Sequence, residues 1–76
     1  MDTTTIGHAA GLIWKALSEE KEDGSTLAKI QKLKGVNQSD ALAALGWLAR
    51  EGKIEFEQEG RTTKIRLNAM ELATAH

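Results

Sequence analysis

The sequence contains no cysteine, and its 76 residues include only two Trp and one Phe as aromatic side chains. Without cysteine, the chain has neither a disulfide framework nor a thiolate zinc site. A small fold without disulfides is typical of a reducing compartment. No stretch reaches the ~20 apolar residues of a membrane span, and the N-terminus lacks the basic segment of a signal peptide. We therefore expect a cytoplasmic protein that does not enter a membrane.

The sequence also lacks the basic excess of most nucleic-acid-binding domains. Ten Lys and Arg residues stand against eleven Asp and Glu, so the net charge is −1 and the pI is near 6.1. Domains that bind nucleic acids often have a pI above ~9. The cations are nevertheless grouped in two runs, which are Lys29, Lys32 and Lys34, and Arg61, Lys64 and Arg66.

Signals for catalysis are also absent. The two histidines, His8 and His76, lie near opposite ends of the chain and are too few for a metal cluster. No glycine-rich phosphate loop is present. The acidic run over 19–23 is better interpreted as a solvated helix end than as a pair of catalytic carboxylates. We expect no enzyme activity, no cofactor and no metal.

Apolar residues at spacings of three and four predict two helices in the first half of the chain. Ile6 to Leu17 form one buried helical face, with a threonine before Ile6 as N-cap and an end by Gly24. Ser25 is predicted to cap a second, shorter helix that ends at Lys34 and Gly35.

A third helix is predicted only a few residues later. Asn37 is a good N-cap, and Asp40 three residues on gives a variant of the capping box. The helix is predicted over 38–51 and ends at Gly52. Two helices joined by a tight turn that contains glycine form a helix-turn-helix.

The apolar period then changes from that of a helix to that of a strand. Residues 54–59 and 63–67 alternate apolar and polar side chains around Gly60, which predicts a two-stranded hairpin. The predicted inner face carries Ile54, Phe56, Ile65 and Leu67. On the outer face, Glu55 and Glu57 are predicted to oppose Lys64 and Arg66, at ~0.2–1 kcal/mol for each pair. The tail over 68–76 is predicted either to pack as one helical turn or to fray.

This order of helices and hairpin resembles the winged helix-turn-helix superfamily. The most similar segments are Leu45-Gly46-Trp47-Leu48-Ala49-Arg50-Glu51-Gly52-Lys53-Ile54, and Leu27-Ala28-Lys29-Ile30 with Gly35-Val36. The resemblance covers about residues 6–67. It implies an α+β fold in which a three-helix bundle carries a C-terminal two-stranded β-hairpin wing. We expect one domain over 1–76 with an ordered core of about 6–67.

More narrowly, the chain is similar to small stand-alone prokaryotic winged helix proteins that have no established function. The resemblance therefore implies the fold and leaves the role open. It places Gln38, Ser39, Leu42, Ala43 and Gly46 or Trp47 on the outer face of the recognition helix. DNA readers carry Arg, Lys, Asn or Gln on that face, and here only Gln38 and Ser39 are polar. Asp40 is interpreted as a capping residue.

The two basic runs lie where winged helix proteins touch the phosphate backbone. Contacts from Lys29, Lys32, Lys34, Arg61 and Lys64 would sustain modest, non-specific binding. Alternatively, the lysines form a solvated helix face and the wing cations are neutralised by the glutamates opposite them. The leading hypothesis is a nucleic-acid-binding, transcription-regulatory domain with weak or non-specific DNA contact.

The alternative hypothesis is a protein-interaction module. The third helix is apolar nearly all the way round, so Leu42 and Trp47 point away from the core and suggest an interface anchor, for a homodimer or for another protein. In a competing interpretation, Met70 to Leu72 fold back and cover them. The Gly7-x-x-x-Gly11 spacing permits either close packing within the domain or dimerisation. Trp14 is expected to be partly buried.

Overall fold

Helices and strands follow one another in the predicted order. The computed structural model describes residues 1–74. In chain order its elements are α1 (Thr3–Glu20), a 3₁₀ turn (Lys21–Asp23), β1 (Ser25–Thr26), α2 (Leu27–Gln31), α3 (Gln38–Arg50), β2 (Ile54–Glu59), β3 (Thr62–Leu67) and α4 (Ala69–Thr74). This is the predicted α+β winged helix architecture. It differs from the prediction by an additional strand, β1, and the tail takes the helical of its two predicted alternatives.

The first helix begins earlier than predicted and has a different N-cap. The Asp2 carboxylate accepts a hydrogen bond from the Thr5 amide at 2.8 Å, and the Thr5 hydroxyl accepts one from the Asp2 amide at 3.0 Å. The prediction of a threonine cap was therefore wrong. An aspartate both accepts the amide hydrogen bond and places negative charge at the positive end of the helix. The Thr5 amide holds the pKa of Asp2 below its usual value.

The second helix starts one residue later and ends three residues earlier than predicted. Thr26, and not Ser25, caps α2 by accepting from the Lys29 amide at 3.2 Å. Ser25 lies instead in β1, where it pairs with Ile65 of β3. The amides of Lys32 and Leu33 bond to carbonyls three residues back, a tightening that ends the helix.

Gly24 allows the chain to pass close to the central strand. Its φ is +67°, and a Cβ at this position would lie 2.8 Å from the Cβ of Arg66 and against the Ile65 carbonyl. No other residue fits this backbone conformation and this approach together. The close contact brings β1 beside β3, so the sheet has three antiparallel strands in the order β1-β3-β2. The predicted two-stranded hairpin wing is present as β2 and β3, and β1 is a third strand that was not predicted.

The hairpin has the predicted turn and register. Glu55 lies opposite Arg66 and Glu57 opposite Lys64, with Gly60 in the turn at a φ of +61°. The inner face was predicted wrongly at one position. Phe56 pairs with the buried Ile65 but is 50% exposed. β2 is an edge strand, and only its first residue, Ile54, is buried.

The core lies between α1, α3 and the sheet. Its buried apolar side chains form one cluster: Ala9, Ala10, Ile13, Leu17, Ile30, Ala41, Ala44, Leu45, Leu48, Ile54, Ile65 and Leu67. Within residues 1–74, none of the helices has the length and apolar character that crossing a membrane requires.

The tail forms α4 and packs on the side of Trp14. Asn68 accepts from the Glu71 amide at 2.8 Å, and its side-chain amide donates to the Gly52 carbonyl. The Trp14 indole donates to the Glu71 carboxylate at 2.9 Å, and Leu72 packs against the core. Trp14 is half-buried, as expected. Ala75 and His76 of the predicted tail lie outside the described residues.

Candidate functional site

The outer side of α3 carries the residues that the sequence places there. Gln38, Ser39, Leu42, Gly46 and Trp47 are exposed, and Ala43 is half-buried. The opposite side of the helix enters the core through Ala41, Ala44, Leu45 and Leu48. The outer side therefore offers two polar groups in its first turn, then a mostly apolar surface, and the exposed Arg50 in its last turn.

The start of α3 is fixed by a side-chain cap. Asn37 accepts from the Asp40 amide at 2.8 Å, and its side-chain amide donates to Asp40 Oδ2 at 3.1 Å. Asp40 is only 6% exposed. Its carboxylate accepts from the Asn37 side chain and not, among the hydrogen bonds of residues 1–74, from the Asn37 backbone amide, so Asn37 is the cap and the predicted capping box is not formed.

Four of the predicted phosphate-contacting cations have no acidic partner. Lys29 on α2 and Lys32 and Lys34 in the turn after it are exposed, as is Arg61 at the wing tip. Within residues 1–74, no carboxylate lies within 4 Å of these side chains; the ion pairs all involve Lys64 or Arg66. The four charges are therefore available to an external anion.

A cleft of mixed polar and apolar lining separates α2 from the wing tip. Its volume is about 370 Å³, and its lining residues are Thr26, Leu27, Ala28, Gln31, Arg61, Thr62 and Thr63. The lining contains one guanidinium, hydroxyl and amide groups, and no carboxylate. We call this cleft together with Lys29, Lys32, Lys34 and Arg61 the α2–wing face.

The remaining wing cations are neutralised within the sheet. Arg66 Nη1 lies 2.7 Å from Glu57 Oε2, and Arg66 Nε lies 3.4 Å from Glu55 Oε1. The hydrogen bond to Arg66 lowers the pKa of Glu57, and the same bond raises the pKa of Arg66. Lys64 Nζ lies 3.8 Å from Glu59, although the register sets it opposite Glu57. Of the predicted contacts, Lys64 is thus less available than Arg61.

A second surface lies where the N-terminal part of α1 crosses α3. Leu42 is 51% and Trp47 is 46% exposed. Beside Trp47 is an apolar hollow of about 340 Å³, lined by Thr3, Ile6, Gly7, Ala43 and Trp47. We call the hollow with its surroundings the α1–α3 face, which comprises Thr3, Ile6, Gly7, Leu42, Ala43, Gly46 and Trp47.

The interpretations that would have closed this surface within the monomer are wrong. The tail packs toward Trp14 and leaves Leu42 and Trp47 exposed. Neither Gly7 nor Gly11 supports close packing within the domain, because a Cβ added at either position would meet nothing within 4 Å.

The hydrogen-bonding lining of the α2–wing cleft was not predicted from the sequence. Thr26 comes directly before α2, whereas Thr62 and Thr63 come from β3. The available signal was Thr26, a strand-forming residue directly before the second helix, in the two-residue segment with Ser25. Two residues are too few to show the alternation that marks a strand.

Comparison with known proteins agrees with this architecture. A family model described as a winged helix-turn-helix domain, DUF2582, matches residues 1–67. The chain is 36% identical over 62 residues to MJ1608, an uncharacterized protein of Methanocaldococcus jannaschii, which covers 82% of this chain and 89% of that protein. It is also similar to the solution NMR structure of BT2368 from Bacteroides thetaiotaomicron, with a TM-score of 0.70 and 31% identity over 88% of this chain and 79% of that one. The chain therefore belongs to the DUF2582 family of winged helix-turn-helix domains.

Proposed function

We propose that this chain is a non-catalytic, cytoplasmic winged helix domain that makes weak, sequence-independent contact with the DNA backbone through its α2–wing face. The observation that carries the proposal is the cleft between α2 and the wing tip. Arg61 lines it together with hydroxyl and amide groups, no carboxylate lines it, and Lys29, Lys32 and Lys34 follow on the adjoining segment without acidic partners. Cations and hydrogen-bond donors are the groups that contact phosphate oxygens.

The chemistry of α3 limits the contact to the backbone. Direct readout in the major groove needs Arg, Lys, Asn or Gln at base edges. Gln38 and Ser39 are the polar residues in the first turn of α3, and the outer surface between them and Arg50 in the last turn is apolar. The net charge of −1 also keeps the long-range attraction to DNA weak.

Counterion release gives the expected salt dependence. Each neutralised phosphate adds about 0.9 to the slope of log affinity against log salt. Contacts from Lys29, Lys32, Lys34 and Arg61 therefore predict a slope of roughly −3.6. Participation of Lys64 would require it to leave Glu59 and would steepen the slope by about one.

A fluorescence anisotropy titration tests the proposal. The wild type is titrated into a labelled duplex of random sequence at several salt concentrations between ~50 mM and ~200 mM. We expect binding at the lowest salt that weakens steeply as salt rises, with little difference between duplex sequences. Absence of binding at ~50 mM would refute the proposal, because electrostatic attraction is strongest there.

Two charge-matched double variants locate the contact. Lys29→Gln/Lys32→Gln removes two positive charges from the α2–wing face. Lys15→Gln/Lys21→Gln removes the same charge from exposed positions on α1 and the turn after it. The first variant should flatten the slope by about two, while the control should leave it within about half a unit. Equal effects would show that only net charge matters and that the face is not a site.

A further inference from the structure

Three glycines inside helices have no role in the packing of the monomer. Gly7 and Gly11 lie one turn apart on α1, and Gly46 lies on the outer side of α3. A Cβ at any of them would meet nothing within 4 Å. Glycine in a helix interior lowers stability relative to alanine. These three glycines therefore destabilise the monomer, and no close contact within the monomer requires them. A backbone that another chain approaches closely would account for them.

The α1–α3 face contains no charged side chain. Its members are threonine, glycine and apolar residues, with Leu42 and Trp47 each about half exposed. In a two-fold symmetric contact the same patch meets itself, so any charge near the axis would face a like charge. An uncharged patch meets this requirement, whereas a surface shaped for a charged partner would carry a complementary charge.

A projecting side chain and a hollow are both present on this face. Leu42 projects from α3, and the hollow lies farther around the helix, where Ala43 and Trp47 line it. In a two-fold contact each copy supplies a group and receives the same group from its partner. Fully desolvated Trp side chains are also enriched among the residues that dominate binding energy.

The charges at the rim are opposite in sign on the two helices. Asp2 caps α1 next to Thr3, and Arg50 lies at the end of α3, one turn after Gly46. Within residues 1–74, neither side chain forms an ion pair. When α3 of one copy crosses α1 of another, the rim of one helix meets the opposite charge on the rim of the other.

The other exposed edge of the fold does not favour self-association. β2 is the free edge of the sheet and carries Glu55, Glu57 and Glu59. Antiparallel pairing of two such edges would bring acidic side chains together, which protects the edge from pairing. The apolar surface on the helices is therefore the better candidate for a contact between copies.

From these observations we propose that the α1–α3 face binds a second copy of this chain and forms a two-fold symmetric dimer. The dimer does not depend on DNA contact, since it uses none of the cations of the α2–wing face. A standard interface buries about 800 Å² on each partner, about a sixth of the 5070 Å² surface of this chain. The seven residues of the α1–α3 face are fewer than the roughly 20–30 that a standard interface uses on each side, so we expect a weak dimer.

Analytical ultracentrifugation without DNA tests the proposal. The wild type is examined from about 10 µM to about 1 mM, a range that detects weak association. We expect the mean mass to rise from 8.3 kDa toward twice that value as concentration increases. A wild type that stays monomeric throughout overturns the proposal and leaves the face to a different protein.

A matched pair of variants decides whether this face is the one used. Leu42→Glu should raise the dimer dissociation constant at least about tenfold, because it buries two like charges near the axis. Met70→Glu makes the same change at a residue that is 79% exposed on α4, outside the face, and should dimerise like the wild type. Unfolding curves of the monomers confirm that both variants are folded. Unchanged dimerisation of Leu42→Glu, or equal weakening by both substitutions, overturns the assignment.

Trp47 provides an independent readout. In a Trp14→Phe background, Trp47 is the remaining indole, since the sequence contains two Trp. Its emission should shift to shorter wavelength as concentration rises, because dimerisation removes the indole from water. An emission maximum that is independent of concentration while the mass doubles would place the contact elsewhere and refute the proposal.

Discussion

The α2–wing face and the α1–α3 face belong to the same small fold and present opposite chemistry. The first combines a cleft that contains hydroxyl, amide and guanidinium groups with cations that have no acidic partner within residues 1–74. The second is apolar and uncharged, and Trp47 borders its hollow. The helix that reads bases in DNA-binding winged helix proteins corresponds to α3, which lies on the second face. In this protein that face is therefore less suited to contact DNA than the α2–wing face. The winged helix outline alone does not determine which face meets which partner.

The two faces would reinforce each other in a dimer. Two copies joined through α1 and α3 carry two α2–wing faces in one particle. A second contact with the same DNA then forms at a high effective concentration, which raises the overall affinity without any new side chain. Weak phosphate contacts in each copy are compatible with a useful combined affinity.

The largest loss of stability is expected at Gly24, which allows β1 to pair with β3 beside the wing. Gly24→Ala should lower the free energy of unfolding by at least about 2 kcal/mol, because it adds a clash with β3 to the cost of a positive φ. Thermal unfolding followed by circular dichroism measures the loss. Gly52→Ala is the control, since its φ is +71° but its Cβ would meet no other atom within 4 Å. Equal losses in the two variants would show that β1 does not constrain the α2–wing face.

A smaller effect is expected at the turn that separates the two faces. Asn37→Ala should cost about 1–2 kcal/mol, because it removes the cap of α3 and a partner of the buried Asp40 carboxylate. Asn37→Ser keeps a capping oxygen and should recover part of the stability. Urea unfolding compares the three proteins. A loss below about 0.3 kcal/mol in Asn37→Ala would contradict the capping role.

The α1–α3 face should show a gain in stability together with a loss of association. Gly46→Ala should stabilise the monomer by about 0.5–1 kcal/mol, because alanine favours a helix and its Cβ meets open space. The same substitution should weaken the dimer. Unfolding at low concentration and sedimentation at high concentration measure the two effects. If the variant is more stable and dimerises like the wild type, the glycines are not needed for close approach of a second copy, and this part of the proposal is contradicted.

The smallest effect is expected in the wing. The pKa of Glu57 lies below 4.5 in the folded chain because of its hydrogen bond to Arg66. The unfolded chain therefore takes up this proton at a higher pH than the folded chain. The ion pair stabilises the fold above about pH 4.5, and its contribution is lost as pH falls through the lower, folded pKa. The pair is exposed, so the contribution is small.

Thermal unfolding of the wild type and of Glu57→Gln between neutral and acidic pH checks this sign. The stability difference between them should shrink as pH falls below about 4.5. Glu51→Gln, a change at a carboxylate outside the wing ion pairs, provides the comparison. A difference that grows on acidification would contradict the assigned pKa direction.

Local sequence signals predicted the parts of the fold that depend on neighbouring residues. The cap at Asn37, the turn at Gly60 and the buried face of α1 follow from propensity and spacing within a few positions. Contacts between distant segments were missed. The bond from Trp14 to Glu71 joins residues 57 positions apart, and the exposure of Phe56 depends on where the core ends.

The same difference between local signals and distant contacts applies to the two candidate surfaces. The lysine run and the exposure of Leu42 and Trp47 follow from helical spacing. The cleft of the α2–wing face does not, because it forms only when β1 pairs with β3 and brings the start of α2 beside the wing tip. Its hydroxyl lining therefore becomes visible in the structure alone.

The most direct test of the difference between the two faces is a ¹H–¹⁵N correlation spectrum recorded as a random-sequence duplex is added at ~50 mM salt. In protein concentrated enough to be dimeric before the DNA is added, we predict that amide shifts change over residues 29–35 and 61–63, and that Gly7, Ala43 and Trp47 retain their positions. Shifts concentrated at Gly7, Ala43 and Trp47, or no shifts at all, would contradict the assignment of DNA contact to the α2–wing face.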